Sequence, residues 1–137
     1  MIKSLKSLLI PVNRINPAPY NPRKNLHPES TTAQQLLASM EKFGCVVQLV
    51  WNNKTGNLVG GHQRLKILLS QGFKKIPVTV VELELEDEKK LNLALNKIHG
   101  EWDNSLLSDL LTELMADQDF DSTLTGFRSN EIDRLLE

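Results

Sequence analysis

The sequence predicts a mixed α/β fold, and three observations carry that prediction. Apolar, β-branched runs of strand length occur at residues 7–15, 45–51 and 75–83. Apolar residues at helical spacing fill the stretches after residues 29, 61 and 85. Gly, Pro and Asn cluster where one pattern gives way to the other. At 137 residues the chain is expected to form a single domain, 1–137, large enough to bury a core without disulfides or a structural metal.

"SLLIPVNRI" (7–15) is a strand, stopped by "NPAPYNPR", whose three prolines in residues 17–22 push their neighbours to extended or turn geometry. "ESTTAQQLLASMEKFG" (29–44) is a helix: Thr31 and Thr32 each have a glutamine three residues on, a capping-box spacing, and Gly44 stands at the C-cap. "CVVQLVW" is a buried strand that contains Cys45, "NNKTGN" a turn and "LVGG" a short strand. Residues 62–71 are helical and end at Gly72, and "KIPVTVVEL" is a further strand. The remainder is helical. Leu91, Ala94, Leu95 and Ile98 share one face, and apolar pairs recur at 106/107, 110/111 and 114/115. "DQDFDSTLTGF" is a loop and "SNEIDRLLE" a last short helix. Strands near 7–12, 46–51, 57–60 and 77–82 are thus expected in one small sheet. Helices near 31–43, 62–71 and 87–100 pack around it, and the last two helices complete a single core.

Composition excludes several classes. Hydrophobic content of 40% and charged content of 24% are ordinary for a globular protein. A net charge of −1 does not fit a chain held to nucleic acid by a basic surface. Cys45 is the single cysteine and His27, His62 and His99 are scattered, which argues against disulfides and zinc and for a reducing, cytoplasmic setting. No apolar run approaches the roughly 18–20 residues of a membrane span, and "MIKSLKSLLIPV" lacks the cleavage site of a signal peptide.

The junction at "GNLVGGHQRLKIL" (56–68) is the chemically suggestive stretch. A strand, Gly60-Gly61 and a helix in succession leave the N–H groups of a helix N-terminus open, with the helix dipole behind them. Glycine permits close backbone approach, so such a junction accepts phosphate, and Arg64 in the first turn adds a charge-assisted contact. The same two glycines also read as a plain tight turn, and His62 as a solvated helix-start residue. Both readings stand on the residues alone.

The segments "PYNPR" (19–23), "SMEKFG" (39–44), "LVGGHQRLKIL" (58–68), "IPVTVV" (76–81) and "LNLALNKIHGEWD" (91–103), in this order and spacing, resemble the ParB-like domain of the ParB/sulfiredoxin superfamily. The first box matches at Asn21, Pro22 and Arg23. The second, roughly GERRxRA in ParB, is Gly61-His62-Gln63-Arg64-Leu65-Lys66-Ile67 here, with His62 and Gln63 replacing the glutamate and first arginine. The third, ENLQR-like in ParB, is met by Asn96, with Leu95 in place of the glutamate. The sulfiredoxin branch carries GGCHR; His62 takes its cysteine's place, so that chemistry is not expected.

The resemblance implies a ParB/sulfiredoxin-like α/β fold: a small mixed sheet with surrounding helices, a nucleotide-binding core at 7–103 and a helical C-terminal extension at 104–137. It implies a nucleoside triphosphate, CTP or ATP with Mg2+, held by Gly60, Gly61, His62, Gln63 and Arg64. Arg23 would close over the phosphates, and Asn96 would hold phosphate or, indirectly, the magnesium. On the residues alone Asn96 also reads as a polar group on the open face of a helix. Residues 104–137 are too short for the helix-turn-helix and dimerisation domains that follow in chromosome-partitioning ParB. "EWD…LL..EL…LTGF…EID.LL" resembles the tail of phage and mobile-element ParB-like domains that lead into DNA methyltransferases. The chain is then either a stand-alone form or the N-terminal part of a fusion.

The implied function is a nucleotide-binding module for DNA partition, modification or processing. Its partners would be a nucleoside triphosphate, a DNA methyltransferase or a partition or packaging protein, DNA weakly or through that partner, and a second copy in a homodimer. The alternatives are a ParB-like nuclease, an NTPase or small-molecule kinase, and a non-catalytic interaction domain. A nuclease needs carboxylates on metal, and "ELELEDE" (82–88) supplies carboxylates, although a solvated charge cluster at a helix N-terminus explains the same run. The stripe "LLSDLLTELM" likewise serves either a partner helix or the domain's own core.

Overall fold

Five strands share one mixed sheet in the computed structural model of the chain, which describes residues 1–22, 29–96, 104–117, 120, 122–125, 127 and 129–136. The chain divides into two compact units: Met1–Pro17 with Asn25–Glu82, and Ala18–Lys24 with Leu83–Glu137.

The first unit holds the sheet. Its strands are β1 (Lys6–Pro11), β2 (Asn16–Pro17), β3 (Leu49–Asn52), β4 (Asn57–Gly60) and β5 (Lys75–Val81), and its helices α1 (Thr31–Phe43) and α2 (His62–Ser70). The order across the sheet is β1-β5-β3-β4-β2. β1 pairs antiparallel with β5 (Ile10 opposite Ile76), β3 parallel with β5 (Leu49 opposite Val78) and β3 antiparallel with β4. The two residues of β2 run parallel to β4, so the start of the proline-rich stretch, read from sequence as loop, is an edge strand. Pro17 is tolerated there because an edge needs no donor on its outer side.

Period-two alternation turns Ile76, Val78 and Val80 to the same side, where they meet Ile10, Leu49, Trp51, Leu58, Leu65 and Leu68 in one buried cluster. α1 begins one residue earlier than the capping-box spacing suggests: the Ser30 hydroxyl accepts from the Ala33 N–H at 3.2 Å. Gly44 ends it at positive φ, as expected for a C-cap glycine. The strand expected from residue 46 starts only at Leu49, because β5 offers its first partner there. Val46 and Val47 are left 77% and 57% exposed, and Cys45 is half-buried outside any strand, packed on the cluster by its side chain.

The second unit is helical: α3 (Leu85–Asn96), α4 (Asn104–Met115), a 3-10 turn at Ser122–Thr125 and α5 (Ser129–Leu135). Its core is Leu93 with Leu107, Leu110, Leu111, Leu114, Phe127 and Ile132. Leu107, Leu110, Leu111 and Leu114 of α4 therefore close this unit's own core, as the amphipathic spacing indicates, while Leu106 and Met115 are exposed. α3 shares that core with α4 and α5, and the second compact unit takes up the chain again at Leu83. The expected extension of α3 to residue 100 lies outside the described residues. Lys89 reaches Glu113 at 2.6 Å, and Lys90, buried, stands within 4.0 Å of Glu86, Asp87 and Asp117. No described helix is long and apolar enough to cross a membrane.

Candidate functional site

Gly60 and Gly61 connect β4 to α2 in the first unit. Gly60 is buried and pairs with Val50, while Gly61 is the N-cap of α2 at φ +97° and ψ 25°. A Cβ on Gly61 would come within 2.8 Å of Leu49 Cγ and 3.3 Å of its Cα. Two independent constraints thus fix glycine there: a left-handed backbone that L-residues avoid, and β3 lying directly beneath. The cap carries no side-chain hydrogen bond, and the first turn of α2 holds no acidic residue. Gly61 therefore opens a nine-residue helix whose N-terminal partial charge is not offset by an acidic residue of its own first turn.

His62, Gln63 and Arg64 occupy that first turn and are each half-buried. The Nδ1 atom of His62 is buried, which sets it apart from a solvated helix-start histidine. Gln63 lines a shallow groove of about 170 Å³ between α1 and α2, with Leu36, Leu37, Lys66 and Ile67. Arg64 lies close enough to Cys45 to act on it. Burial raises the thiol's pKa, and the guanidinium pulls it partly back. A thiol held neutral is a weaker nucleophile than a thiolate.

Asn96 belongs to the second unit and does not stand on an open helix face. It is 3% exposed, and its Nδ2 donates to the Asn92 carbonyl at 2.7 Å. Arg23 lies outside the described residues. The acidic run divides: Glu82, Glu84, Glu86 and Asp87 are exposed as expected, whereas Glu88 is completely buried. Among the described residues no three of His, Cys, Asp or Glu gather into a metal-holding group. Sequence reasoning also missed Tyr20. Its hydroxyl donates to Glu88 Oε2 at 2.5 Å, and beside it Asn92 Nδ2 donates to Asn21 Oδ1 at 3.1 Å.

A strand–glycine–helix junction on a small mixed sheet, followed by a helical unit, defines a mixed α/β scaffold. Residues 3–97 match the ParB N-terminal domain family, and the chain belongs to that family. Residues 105–137 match the ParB-methyltransferase HTH domain. The C-terminal segment thus matches a helix-turn-helix type associated with methyltransferases, in line with the resemblance of this tail to ParB-like domains that lead into DNA methyltransferases. The chain is 30% identical over 88 residues to a probable chromosome-partitioning protein ParB of Campylobacter jejuni, spanning 63% of this chain and 30% of that protein.

Solved structures share the fold. A ParB of Caulobacter crescentus complexed with CTP-γ-S superposes with a TM-score of 0.57 at 18% identity, over 96% of this chain and 77% of that one. The same organism's ParB complexed to the centromeric parS site gives 0.60 at 13% identity, over 94% and 70%. A pNOB8-like ParB-N domain gives 0.59 at 15% identity, over 85% of this chain and 47% of that chain.

Proposed function

We propose that this chain is a CTP-binding ParB-like domain, joined to a helix-turn-helix-type unit of the kind found with DNA methyltransferases, and that bound nucleotide governs its action on a DNA-modifying or partition partner. The observation that carries the reading is Gly61: a left-handed N-cap with no room for a side chain, opening an acid-free helix first turn that bears Arg64. Family membership over 3–97 and a structural relative solved with a CTP analogue support nucleotide binding.

The N–H groups of the first turn and the α2 dipole would hold phosphate oxygens, and the Arg64 guanidinium would add a charge-assisted contact. His62 and Gln63 would flank the phosphates, and Arg23 and Asn96 would contribute from the other two boxes. Mg2+ would enter with the triphosphate, bound chiefly by phosphate oxygens, since the described carboxylates form no cage for it. ATP is the competing nucleotide.

The test is calorimetric titration of CTP and of ATP, each with Mg2+, into the wild-type chain and Arg64→Ala. Loss of one charge-assisted contact weakens affinity by about ten- to a hundredfold. A wild type that binds neither nucleotide at millimolar concentration reduces the junction to a turn.

DNA contact is expected to be weak in the isolated chain. Residues 104–137 carry eight acidic residues against two arginines, a poor balance for phosphate contacts. Gel-shift measurements should show non-specific binding that fades as salt rises. Tight, sequence-specific binding at physiological salt would contradict this reading.

A further inference from the structure

Along α3 the side chains of Glu88, Asn92 and Asn96 recur every four residues, share one face and are all buried, at 0%, 0% and 3% exposure. The first two are tied to consecutive residues of the Ala18–Lys24 segment: Tyr20 Oη to Glu88 Oε2 at 2.5 Å and Asn92 Nδ2 to Asn21 Oδ1 at 3.1 Å. The third donates back to the Asn92 carbonyl, so one chain of hydrogen bonds links Asn21, Asn92 and Asn96. Lys89 Nζ lies 5.6 Å from the centroid of the Tyr20 ring.

Sequestering a carboxylate and two amides costs more than filling the same space with leucine, unless their fixed geometry is put to use. Polar pairs supply one thing that leucines cannot, a single register between two segments. The segment held in register runs directly into Arg23, and the stripe that holds it ends at Asn96.

We propose that Tyr20, Asn21, Glu88 and Asn92 are positioning residues for the nucleotide site. They hold the Asn21-Pro22 segment against the α3 face that ends in Asn96, so that the first and third boxes meet the triphosphate as one pre-ordered element. This role rests on the proposed nucleotide binding. Pre-ordering lowers the entropic cost of binding without touching the ligand.

The test uses the full chain and titrates CTP with Mg2+ well below the melting temperature. Tyr20→Phe removes the hydroxyl and keeps the ring; it should weaken CTP binding by about tenfold, the size of one lost hydrogen bond to a charged acceptor. Glu88→Gln keeps an acceptor oxygen and should retain most of the affinity, while Glu88→Leu should not. Asn21→Ala cuts the second tie at a half-buried position, so the test survives if Tyr20→Phe folds poorly. Tyr20→Phe should be less than additive with Asn96→Ala and additive with Arg64→Ala.

Wild-type CTP affinity in Tyr20→Phe and Asn21→Ala, with only the melting temperature lowered, would overturn the positioning role and leave the nucleotide reading intact. A wild type that binds no nucleotide would overturn both.

Discussion

The hydroxyl of Tyr20 donates a 2.5 Å hydrogen bond to the carboxylate of Glu88, a side chain with no solvent exposure, across 68 positions of sequence. Burial pushes the tyrosine's pKa far above its ordinary value, and the Glu88 hydrogen bond and charge push it further. Tyr20 is the chain's single tyrosine, so tyrosinate absorbance reports it alone. In the native protein that absorbance should stay flat through about pH 10, where an unperturbed tyrosine ionises. The sign for stability follows from the raised native pKa. Stability is intact below the unfolded value and declines above it, because only the unfolded chain can then release the proton. Denaturant titrations at rising pH should show that decline in wild type and a shallower one in Tyr20→Phe.

Gly61→Ala should destabilise the first unit whether or not nucleotide binds there. Its Cβ would meet Leu49 at 2.8 Å, and φ +97° is strained for any L-residue, a combined cost of about 1–3 kcal/mol. Urea denaturation of the ligand-free protein checks this. The substitution is accordingly a poor probe of phosphate contact, since weakened binding would follow from misfolding as well. Arg64→Ala is the cleaner variant.

Asn96→Ala should lower stability without ligand, by about 1–3 kcal/mol, because it removes a buried amide that donates to the Asn92 carbonyl. Thermal denaturation monitored by circular dichroism reads the change. On the residues alone Asn96 also reads as a polar group on the open face of a helix; burial at 3% exposure removes that reading.

Cys45 should alkylate slowly at pH 8, since burial holds the thiol's pKa above its usual value. Arg64 opposes that shift, lowering the pKa through its charge. Iodoacetamide labelling should therefore be slower still in Arg64→Ala. Equal rates in the two proteins would show that the guanidinium does not act on Cys45 in solution.

The sheet and the α2 junction were legible in the sequence because their signals are local. Val78 and Val80 alternate in period two, and Gly61 and Gly72 stand at the turn positions where the structure has positive φ. Cys45–Gln48 shows where local signals stop. Those residues have strand composition, but strand pairing needs a neighbour, and β5 supplies none before Leu49. Glu88 is the harder case. Nothing in "ELELEDE" separates it from Glu86, because its partner Tyr20 lies in another segment and only the folded chain brings them together. Asn96 was found through the resemblance, yet its burial was not, since its neighbours Leu95 and Ile98 suggested a helix face open to solvent.

The segment Ala18–Lys24 gives the chain an unusual inheritance. It is threaded between parts of the sheet unit in sequence but belongs with α3, α4 and α5, so the second unit is discontinuous. A single recombination breakpoint between residues 97 and 105, in the gap between the two family matches, would part Leu93 and Tyr20 from the Leu107 and Leu111 side chains of their shared core. Exchange of the helix-turn-helix-type tail among relatives therefore demands matched changes in α3 and in the short stretch around Tyr20, 68 positions ahead of Glu88. Grafts that respect the linear family boundary alone should express as insoluble or partly folded chains, and grafts that carry residues 18–24 and 83–137 together should fold.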